Sequence, residues 1–185
     1  MRDAVNQMYF IAIVLPQHLD EKILPYKKLV LEKFDCKVGL KSPAHITIIP
    51  PFWMEDEKEA GLLHDTDNLC SGFHFFQIIT KNFSAFKPRT IFIDVEKNEQ
   101  LKQVKQAADS FFKQRSLYKM KIENRPFHPH ITIATRDLHK KTFYEAWQLF
   151  ETKEFTEEWM ATGMSVLRHN KSNWNVIHTS GFINE

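Results

Sequence analysis

The tetrapeptide His45-Ile46-Thr47-Ile48 recurs as His130-Ile131-Thr132-Ile133, 85 residues further along a chain of 185. In an extended strand, side chains i and i+2 share a face, so each copy sets an imidazole and a hydroxyl on one side and two isoleucines on the other. A strand of this kind is half buried by construction. Two copies constrain the fold to one in which both bury their isoleucines and can turn their polar faces to a common cleft. Pro43 and Pro129 stand just before the copies and favour extended backbone at each entry.

The order of elements repeats with the motif. Periodicity predicts a strand over 8–15, ended by Pro16, then a helix from Asp20, as its cap, toward Phe34. Its stripe is Ile23, Tyr26 or Lys27, Val30 and Phe34, and Pro25 either sits in the first turn or divides the segment. The first histidine strand covers 45–49 and is closed by Pro50-Pro51, before a helix over 55–69 with Ala60, Leu63 and Leu62 inward. Strands at 73–80 and 90–95 are joined across 81–89, and a helix over 99–117 is capped by Asn98. The second histidine strand spans 128–135, a helix spans 139–150, and 160–168 pairs with 174–182 as a hairpin. This is the pattern of a diverged duplication. It predicts an α+β chain of two related halves. No Pro/Ser-rich linker separates the halves, so residues 1–185 are expected to form a single domain with intimately packed lobes.

Hydrophobic residues at 43% and charged residues at 26% give a globular rather than disordered balance, and sixteen phenylalanines favour a sheet-rich core. The net charge of +2, from 25 basic and 23 acidic side chains, is too small for a protein that coats nucleic acid. It leaves room for a local basic cleft that receives a small anion or an RNA end. Cys36 and Cys70 have neither metal-ligand spacing nor the density of a disulfide scaffold, which predicts inert thiols in a reducing compartment. The apolar run at 8–15 is about half the length of a membrane helix, and no signal-peptide cleavage region follows the charged N-terminus. A cytoplasmic protein without membrane partners is expected.

Near neutral pH an imidazole accepts a proton and an imidazolium returns one. Two histidines on opposite sides of a phosphorus can therefore activate the attacking oxygen and protonate the leaving one, each worth about 10²–10⁴-fold. Thr47 and Thr132 would hold the non-bridging oxygens. A metal site built from His45, His128, His130 and His169 is the competing reading. The chain has no H-E-x-x-H, no C-x-x-C and no aspartate cluster, so no metal and no cofactor is expected. His128 shares the face of His130 and either orients it or contacts substrate. Lys41, Arg89 and Arg125 are candidates for the cleft mouth, Arg168 for a phosphate or the RNA backbone, and Phe52, Trp53 and Trp174 for base stacking. Each of these also reads as an ordinary packing or surface residue.

At these residues the chain resembles the two-histidine (2H) phosphoesterase superfamily, which includes bacterial 2'-5' RNA ligase-like proteins and cyclic phosphodiesterases. The resemblance covers most of the chain. It rests on the strand Tyr9-Phe10-Ile11-Ala12-Ile13-Val14-Leu15-Pro16, on the first motif, on Phe86-Lys87-Pro88-Arg89 before a strand, and on Arg125-Pro126-Phe127-His128-Pro129-His130-Ile131-Thr132-Ile133-Ala134. It implies a LigT-like α+β fold of two lobes, with pseudo-duplicated antiparallel sheets, outer helices and the site between the lobes, His45 and His130 as the acid/base pair, and Thr47 and Thr132 on the phosphate. It also implies hydrolysis of a 2',3'-cyclic phosphate to a 2'-phosphate, with His130 activating water and His45 protonating the leaving 3'-oxygen. Relatives often carry Arg-Ser where this chain has Arg168-His169, a departure at a usual substrate contact. The expected substrate is an RNA 3' end or a small cyclic nucleotide, not DNA, and the expected state is a monomer. A reversible 2'-5' RNA ligase and a non-catalytic RNA-end binding protein are the alternatives.

Overall fold

The computed structural model describes residues 5–118, 120 and 125–184; the start of the charged N-terminus lies outside them. Its strands are β1 (Asn6–Val14), β2 (His45–Glu55), β3 (Phe76–Phe86), β4 (Thr90–Val95), β5 (His130–Ala134), β6 (Glu158–Ala161), β7 (Gly163–His169) and β8 (Trp174–Gly181). They form an antiparallel sheet in the order β6-β3-β4-β5-β2-β1-β7-β8. The helices are α1 (Gln17–Phe34), α2 (Glu59–Cys70), α3 (Glu99–Lys113) and α4 (Phe143–Gln148). None is long and apolar enough to cross a membrane.

The repeat seen in the sequence is the unit strand, helix, histidine strand, helix: β1-α1-β2-α2 and then β4-α3-β5-α4. The two histidine strands meet in the middle of the sheet, with Ile46 opposite Ile131. Each connecting helix lies against the other copy's histidine strand, α1 on β5 and α3 on β2. The copies are thereby interlocked at the centre.

Alternation sorts the two faces. Tyr9, Ile11, Ile13, Ile46, Ile48, Ile91, Ile93, Ile131 and Ile133 are buried on the helix side with Leu19, Ile23, Leu62, Leu101 and Val104. Each such side chain contributes about 1.5–3 kcal/mol on burial. On the opposite face Phe10, Ala12 and Leu167 form a small separate cluster, with Val14 and Trp174 packed against it.

Several elements differ from the sequence reading. β2 runs through Pro50-Pro51 to Glu55. Its pairing with β5 is at Ile46, and its register with β1 slips near Ile49, so the prolines fall where the ladder is already irregular. α1 continues through Pro25, which is on the exposed side where water can serve the freed carbonyl. Its N-cap is Pro16, and Asp20 instead accepts a hydrogen bond from the Ala44 N–H at 2.7 Å. In α2, Leu62 is buried and Ala60 exposed. β3 reaches Phe86, leaving a tight turn rather than a nine-residue connection. α3 ends at Lys113 and α4 is shorter than its apolar stripe suggested, while Asn98 caps α3 as expected, accepting from Leu101 N–H at 2.9 Å. The run expected as one strand over 160–168 is two: β6 pairs with β3 at one edge, and β7 with β1 near the other.

Candidate active site

Antiparallel pairing centred on Ile46 and Ile131 sets His45 across from Thr132, and Thr47 across from His130. The isoleucines of both motifs are fully buried, while both histidines and both threonines are half-buried on the opposite face. Residues directly opposite in such a pair have Cβ atoms about 4.5–5.5 Å apart. The four motif side chains therefore form one compact cross-strand group, each imidazole facing the other strand's hydroxyl.

The imidazoles are held alike. His45 Nδ1 is 2.7 Å from the Pro43 carbonyl, and His130 Nδ1 is 2.7 Å from the His128 carbonyl. A carbonyl has no proton to give, so each Nδ1 carries the hydrogen and each neutral ring keeps its lone pair on Nε2. The supporting segments differ. Before His45, the Ala44 N–H donates to Asp20 and Lys27 Nζ donates to the Ser42 carbonyl at 3.1 Å, with Lys27 only 3% exposed. Before His130, the His128 ring contacts Asp94 at 2.9 Å between Nε2 and Oδ1, and Asp94 lies opposite His130 on β4.

Burial pushes the His45 imidazole down to about 4; the Pro43 carbonyl opposes this, and the Lys27 charge adds to it. Burial also lowers His130, against the pull of the His128 carbonyl and of Asp94. The resting pair is neutral at pH 7. Each ring is backed by aromatics: Phe10 is 4.8 Å from His45, and Phe86 and Phe92 are 5.1 and 5.0 Å from His130.

A cleft of about 200 Å³ opens over this group. His45, Thr47 and Thr132 line it, with Phe10, Pro51 and Trp174 on an apolar wall and Ser42, Thr135 and Arg136 on a polar one. His130 is not among the lining residues, and we assign it to the group by strand register. Phe10, Ser42, Thr135 and Arg136 were not singled out from sequence. Their only signal there is position, Ser42 just before the first motif and Thr135-Arg136 just after the second. Asp137 binds the Lys37 and Val38 N–H groups at 2.6 and 2.9 Å, tying the exit of β5 to the turn that leads into β2. Gly39 in that turn passes so close to β5 that a Cβ would fall 2.2 Å from the Ile133 carbonyl oxygen.

The remaining candidates scatter. Trp174 reaches the cleft, while His128 lines a neighbouring groove with Asp94. Phe52 is 5% exposed and packs in the core near Tyr9, because β2 alternation turns it to the helix side; it is not a stacking group. Arg168 also faces that side, where Nη1 donates to Glu59 at 2.8 Å beside the Tyr9 hydroxyl. Trp53 is exposed on the cleft side of β2, outside the cleft itself. Lys41, Arg89 and Arg125 are exposed and do not line it. Among the described residues no three His, Cys, Asp or Glu side chains converge as a metal site. Both cysteines are free and buried, and burial pushes each thiol up to about 11.

No curated protein matches the chain. Solved structures do. Escherichia coli LigT complexed with 3'-AMP superposes with a TM-score of 0.70 at 17% identity, covering 96% of this chain and 99% of that one. TT0787 of Thermus thermophilus gives 0.69 at 17% identity with the same coverage. LigT complexed with phosphate gives 0.59 at 16% identity, over 96% of this chain and 98% of that one. These likenesses establish the fold. Residues 15–173, which include both histidine strands, match the model of the 2'-5' RNA ligase superfamily, and the chain belongs to that family.

Proposed function

We propose that this protein is a phosphodiesterase that opens a 2',3'-cyclic phosphate at an RNA or nucleotide end to a 2'-phosphate, without a metal. The observation that carries the reading is the cross-strand group, in which two imidazoles with lone pairs on Nε2 face two threonine hydroxyls. One Nε2 takes a proton from water as its oxygen attacks phosphorus; the other, protonated, gives a proton to O3' as the P–O3' bond breaks. Thr47 and Thr132 donate to the non-bridging oxygens, and Arg136 adds positive charge at the polar wall. That LigT has been solved with 3'-AMP and with phosphate supports a nucleotide phosphate as ligand.

The family resemblance gives water activation to His130 and leaving-group protonation to His45. The resting electrostatics favour the reverse. Burial lowers both rings; it takes His45 down to about 4 with the Lys27 charge adding to it, while at His130 the neighbouring His128 charge adds to the lowering and Asp94 opposes it. A cyclic substrate with sulfur in place of O3' distinguishes the orders, because a thiolate leaves without protonation. The alanine variant of the acid histidine recovers on it; the variant of the base does not.

The test of the reaction class is incubation with 2',3'-cyclic nucleotides and a short RNA ending in that group, with chelator present, read by phosphorus NMR. A 2'-phosphate product that disappears in both His45→Ala and His130→Ala supports the reading. A 2'-5' linked product from an added 5'-hydroxyl RNA points to the ligase alternative. Binding without turnover points to the RNA-end binding protein.

A further inference from the structure

We propose that the open sheet face beside the cleft is a stacking platform for the bases of a single-stranded RNA end, which makes the substrate an oligonucleotide rather than a mononucleotide. The inference rests on the phosphodiesterase reading and names the substrate class of the same site. Met8 on β1 pairs with Trp53 on β2. Tyr9 pairs with Arg168, so Met8 is followed across the sheet by His169, and His169 pairs with Trp174 on β8. Trp53, Met8, His169 and Trp174 thus form one row over four adjacent strands. Three inter-strand steps of about 4.8 Å make it about 14 Å long, room for more than one base.

The row is continuous with the catalytic group. The His169 and Trp174 rings are 4.9 Å apart, Trp174 and Phe10 4.6 Å, and Phe10 and His45 4.8 Å. A nucleotide whose phosphate lies between the histidines has its base beside Phe10 and Trp174, which line the same cleft. The next base toward the 5' end then meets the outer part of the row. Trp53 is 61% exposed at the β2 end of the row, the far end from Trp174; at the β8 end Val176, two residues beyond Trp174 on the same face, is 44% exposed. Arg168, the residue before His169, is turned to the helix side and engaged by Glu59. Along the row the face therefore offers flat rings, and the carboxylate beyond Trp53, Glu55, is paired with Lys58; this is a surface on which successive bases stack with little regard to sequence.

The test compares kcat/KM for a 2',3'-cyclic mononucleotide and for a trinucleotide with the same end, in the wild type, Trp53→Ala and Tyr144→Ala. Trp53 is exposed, so its removal leaves the core intact; Tyr144, exposed on α4, controls for loss of a surface aromatic. The expected result is a preference for the trinucleotide of about tenfold or more, largely lost in Trp53→Ala and retained in Tyr144→Ala. Equal preference in wild type and Trp53→Ala overturns the platform. If the wild type turns over neither substrate, the phosphodiesterase reading fails, and binding of an unreactive trinucleotide bearing a 2'-phosphate, read by tryptophan fluorescence, decides the platform alone. Weaker binding in Trp53→Ala and exclusion of the same strand in a duplex sustain it; unchanged affinity overturns it.

Discussion

The surroundings of His45 and His130 differ although the residues were built by the same device. Both rings give Nδ1–H to a carbonyl two residues upstream, and both stand on a strand whose alternate isoleucines are buried. Around His45 the next layer is Val14 across the ladder, Phe10 against the ring and a buried lysine beneath the loop. Around His130 it is Asp94 across the ladder and a second histidine bonded to that carboxylate. The two motifs supply matching imidazoles in unlike surroundings: burial and the Lys27 charge disfavour a proton on His45, while at His130 Asp94 opposes the lowering by burial. In the proposed reaction one group accepts a proton while the other donates, and unequal surroundings favour one order of roles over the other.

The widest test of this comparison is removal of either ring. His45→Ala and His130→Ala should each lower kcat by about 10²–10⁴-fold in steady-state assays on a cyclic phosphate. A loss confined to one of them would break the pairing. Thr47→Ala and Thr132→Ala should each cost about 10²-fold, with the loss in kcat rather than KM, if the hydroxyls act on charge that develops in the transition state.

A second consequence appears in stability. The folded His45 holds its proton only below about pH 4, whereas the unfolded side chain takes one near 6.5. Between these values the unfolded state binds more protons, so the folded state loses stability as pH falls from 6.5 to 4, by up to about 3 kcal/mol, and the loss from this group levels off below that. His130 acts in the same direction. Denaturant titrations across this window should show the slope, and His45→Gln should flatten it.

Smaller effects separate the two neighbourhoods. Lys27→Met removes the cation that disfavours protonated His45, so the His45 titration moves up. Asp94→Asn keeps a hydrogen-bond acceptor for His128 but removes the charge that favours protonated His130, so that titration moves down. Opposite shifts in the pH dependence of kcat/KM are the expected outcome. Smallest of all is Arg168→Ala, which acts on the helix face and should change kcat/KM by about twofold or less.

What the sequence disclosed was local chemistry and periodicity. The H-x-T pairs and the Asn98 cap follow from spacing within one segment and appear as expected; helical spacing in α3 marks Leu101, Val104, Ala108 and Phe111, and the structure buries the first three with Phe112 in place of Phe111. The placement of His45 opposite Thr132 needs the register between strands 85 residues apart, which no local pattern carries. Lys27 was ambiguous because its position fits the apolar stripe while its charge does not; the structure resolves it as a stem in the core with its ammonium on the Ser42 carbonyl. Asp94 alternates with Ile91, Ile93 and Val95 along β4, and only the pairing of β4 with β5 sets it opposite His130. The break between β6 and β7 was hidden for another reason. The chain stays extended on both sides of Thr162, and only the choice of partners, β3 before it and β1 after it, makes two strands of one run.

The most direct measurement is a histidine nitrogen NMR titration of the free protein from about pH 4 to 8, with His45 and His130 assigned by substitution. The account predicts that both rings are neutral at pH 7 with hydrogen on Nδ1, and that His130 takes up a proton at higher pH than His45, which stays neutral until about 4. Hydrogen on Nε2 in either ring, or two rings titrating together near 6.5, would contradict it.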